Sequence, residues 1–158
     1  ISIEDVGLAN PDTQKQVLDS WRSYERLGSP EGDIALVMSV IALSLSPKSN
    51  SVYLAEKESQ KFAKKHNTEQ PPRHILNSPT ALMDSFGYGL GYKYDHDLKG
   101  GFSGQNYFPD GIKRPIFYHP IERGYERELK KRVSYFSRLR NKIQQSDNEI
   151  KRNLPKNE

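Results

Sequence analysis

The sequence contains no cysteine among its 158 residues. Disulfide bonds, cysteine nucleophiles and thiolate zinc sites are therefore excluded, and a small secreted disulfide scaffold is not expected. Hydrophobic residues make up 34% of the chain, and no apolar run approaches the roughly 20 residues that a membrane helix needs. Residues 1–5 include two acidic side chains, whereas a targeting segment would be basic. No membrane partner is expected.

The chain also lacks a phosphate-binding loop of the form Gly-x-x-x-x-Gly-Lys-[Ser/Thr], so it does not bind a nucleotide by that route. Gly87, Gly89 and Gly91 stand at alternate positions after a helical pattern. The dinucleotide-binding fingerprint needs the spacing Gly-x-Gly-x-x-Gly directly after a strand, so these glycines do not form it. The first residue is Ile1 rather than Met. We interpret the chain as a piece of a larger protein whose chemistry lies elsewhere.

The formal net charge of +4 hides an asymmetry along the chain. Residues 1–60 carry 5 basic and 9 acidic side chains, residues 61–110 carry 6 and 5, and residues 111–158 carry 13 and 6. A basic C-terminal third suggests an anionic partner, with nucleic acid as the first candidate. The alternative is a solvated helix face, because Lys and Arg are good helix formers.

Hydrophobic spacing and capping residues predict an all-α fold. Asn10 and Pro11 can start a helix over 11–27. The segment 34–45 is apolar on nearly every face, which predicts a helix at the centre of the fold. A third helix starts at Ser49 or Asn50, and a short fourth helix follows residues 78–80.

A long amphipathic helix is predicted over 120–143, opened by Pro120. Its apolar residues repeat every three or four positions from Ile121 to Ile143. The opposite face is basic, and phosphate groups would be its natural ligands. Together with Lys93 of the preceding loop, the candidate DNA contacts are Arg123, Arg127, Lys130, Lys131, Arg138 and Lys142.

Glycine and aromatic residues alternate between residues 87 and 111. Such glycine density opposes a regular helix, whereas frequent aromatic residues argue against disorder. We expect an ordered loop held by ring burial, with a short turn at 105–107 and at most a minor β element near 116–118. Its residues Tyr88, Tyr92, Lys93, Tyr94 and Lys99 could stack on unpaired bases, or the rings could fill space between helices.

The segment Asp95-His96-Asp97 offers carboxylate and imidazole groups, with His119 and Glu122 as distant helpers. Adjacent residues of an extended segment point to opposite faces, so a metal site is not expected. Acid–base catalysis would need a pocket and a nucleophile, and no motif supports one. A His–Asp hydrogen bond that fastens the loop is the preferred interpretation.

Several segments carry a resemblance to a known family. Residues 46–53 read Ser-Pro-Lys-Ser-Asn-Ser-Val-Tyr, and residues 87–97 read Gly-Tyr-Gly-Leu-Gly-Tyr-Lys-Tyr-Asp-His-Asp. With 4–9, 73–80 and 105–126, they resemble the replication-associated recombination protein A (MgsA) family of AAA+ ATPases, whose eukaryotic relative is the Werner helicase-interacting protein. The matching motif residues are Lys48, Ser49, Asn50, Tyr53, Gly87, Tyr88, Gly89, Gly91, Tyr92, Tyr94, His96 and Asp97.

The resemblance runs in order over about residues 3–140, with two departures. Ile75 and Leu76 stand where the family usually has Leu-Arg, and the tail beyond Gln144 matches nothing in the family pattern. On this resemblance, residues 1–28 correspond to the end of the AAA+ lid region and residues 29–146 to a helical oligomerisation domain. Residues 147–158 are expected to be a frayed tail.

The resemblance also implies what the whole protein does. It implies an AAA+ ATPase that uses ATP and Mg, assembles as a homotetramer and acts at stalled replication forks in DNA replication, recombination and repair. Its expected partners are single-stranded or forked DNA and single-strand DNA-binding protein, and its expected location is the cytoplasm, associated with the nucleoid. For this chain no cofactor and no enzyme activity are expected. The alternative is a stand-alone nucleic-acid-binding module that uses the helix 120–143 and the loop tyrosines.

Overall fold

The computed structural model of the chain describes residues 1–98 and 100–153, without the side chains of 148 and 150–153. No strand occurs within these residues, and the all-α prediction is confirmed. The segment 116–118, expected as an extended piece, is irregular backbone. The α-helices of this part are α1 (Asp12–Leu27), α2 (Glu31–Leu45), α3 (Ser51–Lys65), α4 (Ala81–Ser85) and α5 (Glu126–Asn153).

Contacts divide the chain into two compact units. Unit 1 comprises Ile1–Lys65 and Ile116–Val133, and unit 2 comprises His66–Pro115 and the chain from Ser134. Helix α5 therefore contributes its first residues to unit 1 and the following ones to unit 2. The boundary expected between the lid region (1–28) and the helical oligomerisation domain (29–146) comes from the family resemblance, and it stays a prediction.

Helix α1 occupies the predicted segment, but its first turn is held differently from the expectation. The Asn10 side chain does not cap the helix, because its amide donates a hydrogen bond to Ser46 Oγ at 3.1 Å. The Asn10 carbonyl oxygen instead accepts from Thr13 Oγ1 at 2.8 Å. At the other end Gly28 has a φ of +69° and donates to the Tyr24 carbonyl at 2.9 Å, so it stops the helix as predicted.

Small residues line the contact between α1 and α2. Ser20 of α1 and Gly32 and Ser39 of α2 are buried. A Cβ atom at Gly32 would lie 2.8 Å from Tyr24 Cα, so only glycine permits this approach of the two helices. The small side chains bring the helix backbones together, and the larger side chains of α2 are left on its other sides.

Helix α2 therefore does not lie at the centre of the fold, and that prediction is wrong for the isolated chain. The face toward α1 is built from small residues, which is why the large apolar residues remain exposed to solvent. Their exposed fractions range from 53% for Met38 to 81% for Leu45. The exposed set comprises Ile34, Val37, Met38, Val40, Ile41 and Leu45.

The best-buried apolar side chains of unit 1 lie in its N-terminal segment instead. Val6 and Ala9 are buried within two short helical turns, Ser2–Val6 and Gly7–Ala9. Backbone hydrogen bonds fix this segment at both ends. The Ser49 amide donates to the Asp5 carbonyl at 2.7 Å, and the Tyr125 amide donates to the Ala9 carbonyl at 2.8 Å.

A fully buried carboxylate, that of Glu126, joins separate segments of unit 1. Its exposed fraction is 0%, and it accepts hydrogen bonds from the Ser49 hydroxyl at 3.0 Å and the Ile121 amide at 2.9 Å. The hydroxyls of Ser51 and Tyr118 donate to it as well. Burial, followed by the charge of Glu126, raises the pKa of Tyr118 to about 12. This phenol therefore keeps its proton and remains a donor to the carboxylate.

In unit 2 the short helix α4 begins as predicted, because Thr80 Oγ1 accepts a hydrogen bond from the Met83 amide at 3.3 Å. The following loop is ordered by polar contacts. Gln105 accepts from the Lys93 amide at 2.9 Å and donates to the Gly91 carbonyl at 2.8 Å. The short helical turn of this loop lies at Asp95–Asp97 rather than at the predicted position 105–107.

Helix α5 begins at Glu126, six residues after the predicted start at Pro120. The intervening residues turn at Gly124, whose φ is +51°, and Tyr125 contacts the N-terminal segment. The helix also continues to Asn153, well beyond position 143. The frayed tail expected over residues 147–158 stays a prediction, and residues 154–158 lie outside the described part of the chain.

Replacing Gly124 with alanine should strongly destabilise unit 1. A Cβ atom there would overlap the Ala9 carbonyl oxygen and lie 2.7 Å from Pro47 Cγ, in addition to the strain of the positive φ. We expect Gly124→Ala to lower the free energy of unfolding by about 2–4 kcal/mol in urea denaturation. Gly111→Ala is the matched control, because Gly111 has a φ of +81° and open space around it. Equal losses in both variants would contradict the steric argument.

Replacing Glu126 with glutamine should show what the buried carboxylate contributes. The amide keeps the shape, but its NH₂ group would face hydroxyl or amide donors, so at least one of these donors loses its acceptor. We expect Glu126→Gln to lower the free energy of unfolding by about 1–3 kcal/mol, measured by urea denaturation. Glu128→Gln is the control, since this exposed carboxylate pairs with Lys131 at the protein surface, and it should change stability by less than about 0.5 kcal/mol.

Candidate assembly surface and basic residues

One side of α2 presents a continuous row of apolar side chains to solvent. Ile34, Met38, Ile41 and Leu45 are separated by four, three and four residues, which places them on one helix face. All four are more than half exposed. Large apolar patches of this kind mark sites of protein–protein contact in folded proteins.

Helix α1 also exposes large apolar side chains. Leu18, Trp21 and Leu27 are more than half exposed. The Trp21 indole is held in place, because its Nε1–H donates to Glu25 Oε1 at 2.8 Å and its ring centroid lies 6.4 Å from that of Tyr24. We call the exposed apolar residues of α1 and α2 together the apolar surface of unit 1.

A groove of about 420 Å³ lies between α1 and α2 within unit 1. Its lining includes Ser20, which is only 2% exposed and whose Oγ has no hydrogen-bond partner among the described residues. The groove thus offers apolar surface together with an unsatisfied polar group, a combination suited to a side chain from another molecule. The lining residues are Asp12, Lys15, Gln16, Asp19, Ser20, Ser23, Ala35 and Met38.

The candidate DNA contacts of unit 1 are already engaged within the unit. Lys130 Nζ lies 2.5 Å from Glu122 Oε1, and this contact lowers the pKa of Glu122. Arg127 Nε donates to the Glu122 carbonyl at 3.1 Å, and Arg123 donates to a backbone carbonyl at 3.3 Å. Lys131 pairs with Glu128 at 2.6 Å. The charges of Lys130 and Lys131 are therefore partly compensated by carboxylates, whereas Arg123 and Arg127 keep their full charge and only have one N–H group engaged.

The candidates of unit 2 divide into two groups. Lys93 Nζ lies 3.1 Å from Asp147 Oδ2, so its charge is compensated. Arg138 and Lys142 are exposed and, in the part of the chain that the structure describes, form no ion pair. They stand four residues apart on α5 and so occupy one helix face.

The motif residues of the Lys48–Tyr53 segment have structural roles that the sequence did not predict. Lys48 donates to the Leu43 carbonyl, and Ser49 binds the buried Glu126 and accepts from the Ser51 amide at 3.2 Å. The Asn50 carbonyl accepts from the Leu54 amide at 3.0 Å. Of the two predicted starting residues, Asn50 therefore occupies the position directly before α3, and Ser49 precedes it and satisfies the Ser51 amide.

The motif residues of the glycine-rich loop are placed mainly by the backbone. Gly87, Gly89 and Gly91 all have positive φ angles, and the Gly89 amide donates to the Arg73 carbonyl at 2.9 Å. Tyr92 and Tyr94 are about half exposed, so they do not fill a core as one alternative proposed. Tyr88 is half-buried, with its ring centroid 6.3 Å from that of Phe86. Base stacking by these rings stays a prediction, and Lys99 lies outside the described residues.

The acidic residues near His96 have a different partner from the one expected. Asp95 accepts a hydrogen bond from the Ser103 amide at 2.7 Å, and the side chain and backbone of Ser103 lower the pKa of Asp95. His96 packs against Tyr94 with ring centroids 5.0 Å apart, and Asp97 donates its amide to the Tyr94 carbonyl at 3.1 Å. Among the described residues, no group of three His, Asp or Glu side chains could hold a metal ion.

Two important residues were absent from the sequence-based site list, namely Glu126 and Ser20. Glu126 appeared only within the family-motif segment 105–126, and its sequence neighbours gave no signal of burial, because the serines that bind it lie about 75 residues earlier. Ser20 was hidden in a helical pattern that emphasised Trp21 and its apolar neighbours. Neither position is identifiable from hydrophobic periodicity, because both are polar residues in buried sites.

Among the described residues, no helix combines the length and the apolar character that crossing a bilayer requires.

Comparison with known proteins agrees with the architecture. The family model described as MgsA AAA+ ATPase C terminal matches residues 1–137. The Replication-associated recombination protein A of Coxiella burnetii is 37% identical over 137 residues, covering 86% of this chain and 31% of that protein. The protein of the same name from Haemophilus influenzae is 39% identical over 134 residues, covering 84% and 30%. ATPase WRNIP1 of Dictyostelium discoideum is 29% identical over 120 residues, covering 73% and 13%.

The match spans most of this chain but less than a third of these relatives. The two bacterial relatives share a name, and each aligns with more than four fifths of this chain. The chain therefore belongs to the family of C-terminal domains of MgsA-type AAA+ ATPases.

Proposed function

We propose that this chain is the assembly domain of an AAA+ ATPase and that its apolar surface of unit 1 binds a second copy of the chain. The observation that carries the proposal is that α2 exposes six large apolar residues to solvent, four of them in one row along the helix. A helix that packs small residues inward and leaves its large apolar residues outward is complete only when another surface covers it.

The magnitudes favour association. Fully burying one Val, Ile, Leu or Met side chain contributes roughly 1.5–3 kcal/mol. Two protein surfaces lose about 4–15 kcal/mol of translational and rotational freedom on association. The six residues are 53–81% exposed, so covering each recovers somewhat more than half of its value, and six on each copy still reach the size of that loss. A symmetric contact would also let the apolar face of one copy meet the same face of the next.

We also propose a role for this domain within the longer protein to which it belongs. The relatives are more than three times as long as the segment they share with this chain. We place the ATP- and Mg-dependent reaction in the remainder of the protein, since the described residues contain neither a phosphate-binding loop nor a metal cluster. A homotetramer held together by this domain would fix neighbouring ATPase modules so that each can complete the next one's site. Replication forks in the cytoplasm, with single-strand DNA-binding protein, are its proposed setting.

Changing one residue of the α2 row should break the assembly. Ile41→Asp puts a charge into the centre of the proposed contact, where burial would be unfavourable. We expect the wild-type chain to be multimeric at about 20 µM in sedimentation or light scattering and the variant to be monomeric. Leu82→Asp, an exposed apolar residue of unit 2 changed in the same way, should leave the mass unaltered. A monomeric wild-type chain, or equal dissociation in both variants, would refute the proposal.

A second candidate function is direct contact with DNA through Arg138 and Lys142. The observation that favours it is their exposure on one face of α5 without a carboxylate partner among the described residues. Each phosphate contact releases counterions, so binding to single strands should weaken with salt at a slope of about −0.7 per contact on a double logarithmic scale.

Removing both residues tests this second function. In fluorescence anisotropy with single-stranded and forked DNA, Arg138→Ala/Lys142→Ala should weaken binding and reduce the steepness of the salt dependence by about 1.4. The double variant Lys130→Ala/Lys131→Ala is the control, because both lysines already pair with glutamates. Equal losses in both double variants, or no binding at low salt, would rule out this contact.

A further inference from the structure

Helix α3 carries a second group of basic residues, which the charge count along the chain conceals. Lys57, Lys61, Lys64 and Lys65 lie in its second half, and all four are exposed. The acidic excess of residues 1–60 hides them, because the group lies on both sides of position 60. Helix α3 is therefore a basic surface of unit 1 in a part of the chain that the sequence pattern marks as acidic.

Three of these lysines form a row along one face of α3. Lys57, Lys61 and Lys64 are separated by four and three residues, so they follow one another along the helix. The opposite face is the one that packs within unit 1. It carries Phe62, which is half-buried and whose ring centroid lies 5.5 Å from that of Phe117. The lysine row therefore faces solvent rather than the interior of the unit.

No carboxylate compensates the lysine row. In the part of the chain that the structure describes, no Asp or Glu oxygen lies within 4.0 Å of any of its amino groups. The partial negative charge at a helix C-terminus favours lysines in the last turn, such as Lys64 and Lys65. Lys57 and Lys61 precede that turn, so stabilisation of the helix end does not explain them.

Tyr53 extends the row toward the start of α3. It stands four residues before Lys57, which places both side chains on one face, and it is 46% exposed. Lys48 and Ser49 of the same motif segment donate side-chain hydrogen bonds within the fold. Among the described residues, the Tyr53 hydroxyl makes no hydrogen bond and its ring contacts no other aromatic ring. The fold therefore leaves this motif residue open to a ligand.

We infer that Tyr53, Lys57, Lys61 and Lys64 form a binding site for a single strand of nucleic acid on unit 1. The row is about 16 Å long at a rise of 1.5 Å per residue, so it follows a strand over several nucleotides. Lysine side chains are flexible point charges that neutralise backbone phosphates. An exposed tyrosine stacks on an unpaired base of any type. A duplex or an acidic peptide would meet only the lysines, because neither offers a free base to the ring.

This site goes beyond both proposed functions, because it uses different residues. The assembly surface lies on α1 and α2, and the pair Arg138 and Lys142 lies on the part of α5 that belongs to unit 2. Each of the three surfaces can therefore be changed separately.

The lysine row is tested by fluorescence anisotropy with a short labelled oligothymidylate over a range of salt concentrations. Lys57→Gln/Lys61→Gln removes two phosphate contacts, so it should weaken binding and reduce the steepness of the salt dependence by about 1.4. Lys130→Gln/Lys131→Gln is the matched control in unit 1, because these lysines already pair with glutamates. It should have little effect, and both variants should keep the wild-type mass in sedimentation. Equal losses in the two variants, or a loss that accompanies dissociation, would overturn the inference.

The tyrosine distinguishes a nucleic-acid strand from other anions. Tyr53→Ala should weaken binding of oligothymidylate about fivefold or more and leave binding of a duplex of the same length unchanged, whereas Tyr53→Phe keeps the ring and should bind as the wild type does. Poly-glutamate serves as a competitor at matched charge. If it displaces the oligonucleotide as well as unlabelled oligothymidylate does, and Tyr53→Ala has no effect, the row binds acidic protein segments and the inference is wrong.

The same α3 changes in the Arg138→Ala/Lys142→Ala background separate this site from the second candidate function. We expect residual binding of oligothymidylate there, and Lys57→Gln/Lys61→Gln should reduce it by the same factor as in the wild type. A background variant that no longer binds at low salt would place the contacts on α5 alone and overturn the inference. Residual binding that is lost with the α3 lysines would support it even if Arg138 and Lys142 contribute nothing.

Discussion

The structure of unit 1 depends on one buried charge, the carboxylate of Glu126. A buried carboxylate is costly unless its oxygens are satisfied, and here two serine hydroxyls, a phenol and a backbone amide all donate to it. These donors come from the start of α3 and from the segment before α5, which are distant in sequence. Because the carboxylate is satisfied only when those segments meet, it specifies their arrangement as well as stabilising it.

The same segments hold the N-terminal residues in place. Ser49 binds Glu126 through its hydroxyl and binds the Asp5 carbonyl through its amide. Tyr125 immediately precedes Glu126, and its amide donates to the Ala9 carbonyl. The turn at Gly124 requires glycine, because a side chain there would collide with the Ala9 carbonyl. Unit 1 is therefore organised around polar contacts at helix ends, which explains how it can leave the apolar residues of α2 in solvent. Because these residues are more than half exposed, they are available for another surface.

The basic residues show how tertiary structure changes the meaning of a charge pattern. In sequence, the residues from Arg123 to Lys142 form one basic face. In the structure, Lys130 and Lys131 pair with glutamates, whereas Arg138 and Arg140 have no carboxylate partner among the described residues. Arg140 also packs over the ring of Phe102, a loop residue 38 positions away, which no local pattern in the sequence indicates. Charge counts alone cannot separate paired from unpaired cations.

The sequence by itself determined the all-α class, the extent of α1, the start of α4 and the family, because helical periodicity, capping residues and motif order are local properties. It placed α2 wrongly in the core, since its apolar composition does not reveal that Gly32 and Ser39 face the neighbouring helix. It also opened α5 too early, since the positive φ of Gly124 is set by contact with the N-terminal segment. Burial, ion pairing and exposure depend on residues far apart in the chain, and only the tertiary structure decided them.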